Sequence, residues 1–319
     1  MEMKVVRAGM LTTVQDLGRR GCRHAGVPMS GAMDAVALRI ANALVGNGDD
    51  AAALEFTLVG PEVEFSEATW VAVGGATGEG VAAWQPLRVN AGERLKIGAC
   101  AKGCRGYLAV AGGIAVERVL GSRSTFVRAR IGGLDGRALK DGDTLPIEAG
   151  GGASLEEAAT GGWKIDPRVL PQYSSEPTVR VVLGAQAREF GRGFFEQTFT
   201  VSPQSDRMGV RLQGTRLERS GEGELLSAAV SPGTVQVPPD GQPLVLMADA
   251  QTIGGYPQIA HVISVDLPLV AQLRTGDRVR FAEVTLEEAH GLALAREKQL
   301  AILREGLAQK LNHDSRGWI

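Results

Sequence analysis

The chain has 319 residues, with 34 Lys+Arg against 36 Asp+Glu for a formal net charge of -2, and 44% of its residues are hydrophobic. That composition can fill a sizeable core and excludes bulk disorder, while the near-neutral charge argues against a protein that binds nucleic acid by non-specific phosphate neutralisation. No charge-free apolar run approaches the roughly 18–20 residues of a membrane span.

The N-terminus, Met1-Glu2-Met3-Lys4-Val5-Val6-Arg7, carries no apolar signal core, so a cytoplasmic location is expected. The first polar cluster is Thr12-Thr13-Val14-Gln15-Asp16-Leu17-Gly18-Arg19. It is followed by Ser30-Gly31-Ala32-Met33-Asp34, which is expected to open a helix, capped by Ser30, that continues to about Val45. Val36, Ile40 and Leu44 share its apolar face, and Gly46-Asn47-Gly48 supplies the stop. Loop and helix N-terminus together could face an anionic or carbonyl ligand, with Gln15, Asp16, Ser30 and Asp34 as candidate contacts.

Beyond it, the 43 glycines punctuate short β-branched or aliphatic runs. Val71-Ala72-Val73 ends in Gly74-Gly75, and Tyr107-Leu108-Ala109-Val110-Ala111 ends in Gly112-Gly113. Alternation of apolar and polar residues in many such runs predicts half-buried antiparallel strands, hence a mainly β fold. Gly92-Glu93, Gly142-Asp143 and Gly276-Asp277 each precede a strand start, where a glycine with φ > 0 makes the entering turn. The second cluster, Leu120-Gly121-Ser122-Arg123-Ser124-Thr125, could bind a carboxylate or phosphate through Ser122 and Arg123, or anchor a loop to carbonyls.

Residues 149–177 lose strand character, with a short helix candidate at Ser154-Leu155-Glu156-Glu157, and read as a linker or excursion. The expected division is therefore a β-rich subdomain over 1–150, the linker over 151–177, a second β-rich subdomain over 178–284, and a C-terminal helix over 285–312. The third cluster, Ser205-Asp206-Arg207-Met208-Gly209, predicts a tight bend between strands. The fourth, Asp249-Ala250-Gln251-Thr252-Ile253-Gly254-Gly255-Tyr256, gathers amide, hydroxyl and phenol groups around a Gly-Gly pair. That mixture suits a small polar substrate such as an amide or lactam. His261 reads as a strand histidine, and no metal site is expected. Thr285 with Glu288 predicts a capping box for the last helix, a candidate homo-oligomer contact.

Phosphate-loop, dinucleotide-binding, zinc-protease and nucleophile-elbow motifs are all missing. What the clusters do, taken in order, is resemble one family. Thr13-Val14-Gln15-Asp16-Leu17-Gly18-Arg19, Ser30-Gly31-Ala32-Met33-Asp34, Leu54-Glu55-Phe56-Thr57-Leu58-Val59-Gly60-Pro61, Leu120-Gly121-Ser122-Arg123-Ser124-Thr125, Ser205-Asp206-Arg207-Met208-Gly209 and Gln251-Thr252-Ile253-Gly254-Gly255-Tyr256 carry the resemblance. It is to the biotin-dependent carboxyltransferase-like family, subdomains A and B, which includes KipA-type proteins, 5-oxoprolinase subunits and allophanate hydrolase subunits.

The resemblance implies two cyclophilin-like β-barrel subdomains with a few helices. It also implies a subunit of a heteromeric ATP-dependent 5-oxoprolinase, working with a KipI-type subunit and a LamB/YcsF-type subunit. ATP is expected at the level of the complex, and biotin is not expected to be attached to this chain. Alternatives within the family are the carboxyltransferase component of a urea or amide carboxylase, and a non-enzymatic KipI antagonist. Under the lactamase-type reading, the expected site unites the bend Ser205, Asp206, Arg207, Met208, Gly209 with Gln251, Thr252, Gly254, Gly255 and Tyr256. Asp206, Gln251 and Tyr256 are its expected catalytic groups, and Arg123 and Arg207 its expected anion clamps. One departure from the family pattern is the shortened segment from Gly75 to Trp84, which lacks the usual Asn-Gly.

Overall fold

The computed structural model describes residues 1–150, 165–221, 223 and 225–313; the helix expected at Ser154-Leu155-Glu156-Glu157 lies outside them. The chain forms two compact units. Unit 1 comprises Met1–Arg19, Ser30–Pro171 and Glu297–Ile319, and unit 2 comprises Arg20–Met29 and Gln172–Arg296.

Unit 1 holds strands β1 (Glu2–Arg7), β2 (Thr12–Gln15), β3 (Ala53–Thr57), β4 (Glu62–Phe65), β5 (Thr69–Gly78), β6 (Pro86–Val89), β7 (Arg94–Lys96), β8 (Cys100–Val110) and β9 (Thr144–Pro146). They pair as a four-stranded sheet, β7-β4-β1-β9, and a five-stranded sheet, β2-β3-β8-β5-β6. Period-2 patterning decides which face goes inward. Met3, Val5, Val63, Phe65 and Leu95 from one sheet share a core with Val14, Leu54, Phe56, Val71, Val73 and Leu108 from the other. Phe56 lies opposite Gly106 across the β3–β8 pair, and a Cβ at Gly106 would sit 2.2 Å from the ring. The glycine makes the room in which the ring is buried, which stabilises by about 2–3 kcal/mol.

The other face of the five-stranded sheet is covered by helix α1 (Ala35–Leu44). Ala37, Ile40, Ala41 and Leu44 pack there with Trp70, Ala72, Tyr107 and Ala109, and with Leu300, Leu307 and Leu311. The helix starts later than expected, because its N-cap is Asp34 and not Ser30. The Asp34 carboxylate accepts from the Ala37 amide at 2.9 Å. Ser30 (φ 53°) and Gly31 (φ 87°) are held in left-handed conformations against Gly18, whose nitrogen would be 2.8 Å from a Cβ at Gly31. No helix can propagate through that pair.

Unit 2 is a closed barrel of β10 (Thr178–Leu183), β11 (Phe199–Val201), β12 (Gly209–Gln213), β14 (Thr234–Gln236), β15 (Leu244–Leu246), β17 (Gln258–Val262) and β18 (Arg278–Glu283). Its order is β10-β17-β14-β15-β12-β11-β18, and a parallel β10–β18 pair closes it. Closure leaves no exposed edge, and Phe194, Phe199 and Phe281 stack inside. A separate two-stranded ribbon pairs β13 (Ala228–Ala229) with β16 (Ile253–Gly254). The short helix α2 (Leu267–Ala271) precedes β18. Helix α3 (Leu286–His313) opens with the expected capping box, in which Thr285 and Glu288 exchange hydrogen bonds of 2.7 and 3.1 Å. Gly92, Gly142 and Gly276 have φ of 72°, 90° and 87° before β7, β9 and β18, as the turn pattern predicts.

Candidate functional site

In unit 1 the first and second clusters form one buried network. Asp16 accepts hydrogen bonds from the Ser122 hydroxyl (2.6 Å), the Ser124 hydroxyl (2.5 Å), the Arg123 amide (2.6 Å) and the Gly18 amide (2.8 Å). Three of these bonds fall on Oδ1 and one on Oδ2, so both carboxylate oxygens are engaged within the chain. The Arg123 guanidinium donates to the Val116 carbonyl at 2.9 Å and pairs with Glu148, so it anchors its loop. Gln15 donates to Thr13 and to the Thr125 carbonyl, at 3.0 and 3.1 Å. Beside it, Tyr107 donates to Glu55 at 2.7 Å and accepts from the Asp34 amide at 2.8 Å. Burial first, then the charges of Glu55 and Asp34, push the Tyr107 phenol well above the ordinary tyrosine range.

In unit 2 the third and fourth clusters are joined by a buried ion pair. Arg207 reaches Asp249 with Nε–Oδ2 at 2.8 Å and a second contact at 3.1 Å. Asp206 accepts from the Met208 and Gly209 amides at 2.8 and 3.1 Å, holding the bend that delivers Arg207. The Ser205 hydroxyl accepts from the Arg211 amide at 3.0 Å, and the Thr252 carbonyl accepts from the Val230 amide at 3.1 Å. Gln251 donates to Gln236 at 3.5 Å, and Gln236 donates to the Tyr256 carbonyl at 3.3 Å. Gln236 is fully buried, and the sequence does not reveal it because it lies inside a strand and carries no motif.

His261, on β17, faces Thr234 at 3.3 Å, and burial pulls its imidazole below its usual value. The fold thus prefers the neutral ring. Below about pH 6.5 the unfolded chain binds a proton that the folded chain resists, so stability is lost as pH falls through that value. Denaturation midpoints at pH 7.5 and 5.5 are expected to differ less in His261→Gln than in the wild-type protein.

Next to this loop, unit 2 carries a pocket of about 820 Å³, within the size range of small-molecule sites. Gly255 and Tyr256 line it, with Arg216, Glu218, Arg219 and Phe190, and with a wall containing Pro238, Pro239 and Pro257. Asp206, Arg207 and Gln251 do not line it. Arg219 is held by Glu189 at 2.5 Å and by the Gly223 carbonyl at 2.8 Å. Arg216 and Glu218 project from an extended segment whose intervening Leu217 is buried. Neither stands out in the sequence, because the segment is polar, without a motif, and gains its meaning only from the 238–241 turn opposite it. Tyr256 is 46% exposed.

The mainly β architecture, with a closed seven-stranded barrel in unit 2, agrees with the fold class expected from the sequence resemblance. Residues 25–283 match the carboxyltransferase domain, subdomain A and B, and the chain belongs to that family. Among individual relatives, the 5-oxoprolinase C subunit from Escherichia coli (strain K12) is 45% identical over 98% of this chain and 100% of its own length. The protein of the same description from Haemophilus influenzae is 39% identical over 93% of this chain and 96% of its own. The crystal structure of Kluyveromyces lactis urea carboxylase superimposes with a TM-score of 0.86 at 31% identity, over 96% of this chain but 29% of that one. Among the described residues no helix is long and apolar enough to cross a membrane.

Proposed function

We propose that the chain is the C subunit of a heteromeric, ATP-dependent 5-oxoprolinase that opens the lactam of 5-oxoproline to glutamate. The observation carrying this reading is 45% identity to a protein of that description along its whole length. The carboxyltransferase reading has less support, since the urea carboxylase likeness is at 31% identity and spans under a third of that chain. The partners implied are a KipI-type and a LamB/YcsF-type subunit.

The pocket beside Tyr256 is the natural seat for the ring. Its proline and phenylalanine wall suits ring methylenes, and the Tyr256 phenol can donate to the lactam oxygen as charge develops there. Gln251 acts at one remove, through Gln236 and the Tyr256 carbonyl. Asp206 accepts two backbone amides on Oδ1 and so shapes the bend. ATP, which supplies the driving force for opening an unstrained amide, is assigned here to the complex as a whole.

The test is reconstitution. With all three subunits and ATP, 5-oxoproline is expected to yield glutamate, and omitting this chain abolishes the product. Tyr256→Phe is expected to lower kcat by about 10- to 100-fold with assembly intact. No glutamate from the complete set would overturn the reading.

A further inference from the structure

The proposed substrate carries a carboxylate beside the lactam N–H, and a discriminating site must read both. The two arginines expected to clamp that carboxylate are committed elsewhere, Arg207 to Asp249 and Arg123 to Glu148 and the Val116 carbonyl. Arg216 stands differently. Among the described residues its guanidinium donates once, to the Pro239 carbonyl at 3.1 Å, and it lines the pocket.

The position is built and not incidental. Leu217 donates its amide to the Gly241 carbonyl at 3.0 Å, which fixes the segment against the 238–241 turn. Gly241 has φ of 73°, and a Cβ there would lie 2.4 Å from the Arg216 Cγ and 2.7 Å from the Leu217 carbonyl oxygen. The turn thus gives the arginine stem a groove that only glycine leaves open, and the Pro239 carbonyl orients the fork. An arginine held in this way loses little freedom on binding an anion, and its remaining N–H groups match a carboxylate. Two residues on, Glu218 lines the same pocket and is exposed like Arg216, while Leu217 between them is buried. Among the described residues its carboxylate has no hydrogen-bond partner, and a carboxylate can only accept.

We infer that Arg216 and Glu218 are the specificity pair of this pocket: Arg216 binds the carboxylate of a small cyclic amino-acid-derived lactam, and Glu218 accepts from its ring N–H. This inference rests on the lactam reading of the site. It goes beyond that reading by naming the groups that select an acidic lactam over a neutral one.

The experiment compares 5-oxoproline with its neutral carboxamide, by calorimetric titration of the assembled complex and, separately, by ring-opening kinetics. The wild-type complex is expected to bind the acid about 10- to 100-fold more tightly than the amide, the range for a charge-assisted hydrogen bond. In Arg216→Ala that preference falls to within about 3-fold while amide binding is unchanged, and Arg216→Lys is intermediate. Glu218→Gln weakens both ligands alike, and N-methylation of the lactam costs the wild type more than it costs this variant. An Arg216→Ala complex that keeps the preference, or that loses acid and amide equally, overturns the assignment. So does a wild-type complex that binds neither or prefers neither. Tight, Arg216-dependent binding of the acid with no ring opening would instead sink the proposed activity and leave the recognition pair standing.

Discussion

Arg207→Ala is expected to destabilise the protein by about 3–5 kcal/mol, measured as a lowered urea midpoint with unchanged slope. The reason is the state in which it leaves Asp249. Both residues are nearly fully buried, and the guanidinium covers both oxygens of the carboxylate. Removing one partner strands a desolvated charge, which costs far more than the intact pair contributes. The Asp249 amide also donates to the Arg207 carbonyl at 2.9 Å, so the backbone link between the bend and the next loop survives the substitution. Replacing both residues by apolar ones of similar volume, Arg207→Met with Asp249→Leu, is therefore expected to recover most of the loss. If Arg207→Ala stays within about 1 kcal/mol of wild type, or if the double variant is worse than the single, the pair is not the buried clamp described.

That ion pair also shows which interactions a sequence reveals. The capping box of Thr285 and Glu288 spans three residues, and the turns at Gly92, Gly142 and Gly276 are each set by one residue's allowed φ. Such features are written locally and can be read locally. Arg207 and Asp249 each stand out in the sequence, in separate clusters, but their pairing over 42 positions depends on where the barrel places two loops. Chemistry inferred from a residue's type alone then overstates its availability, because the fold has already spent the group. The helix start failed for a related reason. Ser30 is a good capping residue by type, yet the close approach of Gly31 to Gly18 keeps it out of the cap and gives that place to Asp34.

The pocket arginine is the converse case. Arg216 lies in a segment with neither periodicity nor motif, and only the 238–241 turn makes it an oriented donor. Gly255 and Tyr256, which line the same pocket, do stand out in the sequence, as a phenol next to paired glycines. Glu218, in the same motif-free segment as Arg216, does not. A pocket lined by four separate segments exposes in sequence only the segment that carries unusual residues.

Asp16→Asn and Asp16→Ala separate a structural carboxylate from a substrate-binding one, and the stability loss is expected to be large: about 4 kcal/mol for alanine, near the upper end for a single substitution. Four donors converge on this side chain, and both hydroxyl donors come from a loop more than 100 positions away. Alanine leaves the Ser122 and Ser124 hydroxyls and the Arg123 amide without their acceptor in a buried setting, which costs the desolvation of each group. Asparagine keeps the shape but replaces one accepting oxygen by an NH₂ that faces donors, so it is expected to recover only part of the loss. The Ser124 amide, bonded to the Ser122 hydroxyl at 3.0 Å, belongs to the same network, so the whole 122–125 loop loosens together. Hydrogen exchange localises this effect: amides 122–125 and Gly18 lose protection in Asp16→Asn while the barrel of unit 2 keeps its own. A substrate-binding Asp16 would give the opposite pattern, with the denaturation midpoint and exchange of Asp16→Asn near wild type and 5-oxoproline turnover abolished. The density of bonds already closed on this carboxylate favours the first outcome.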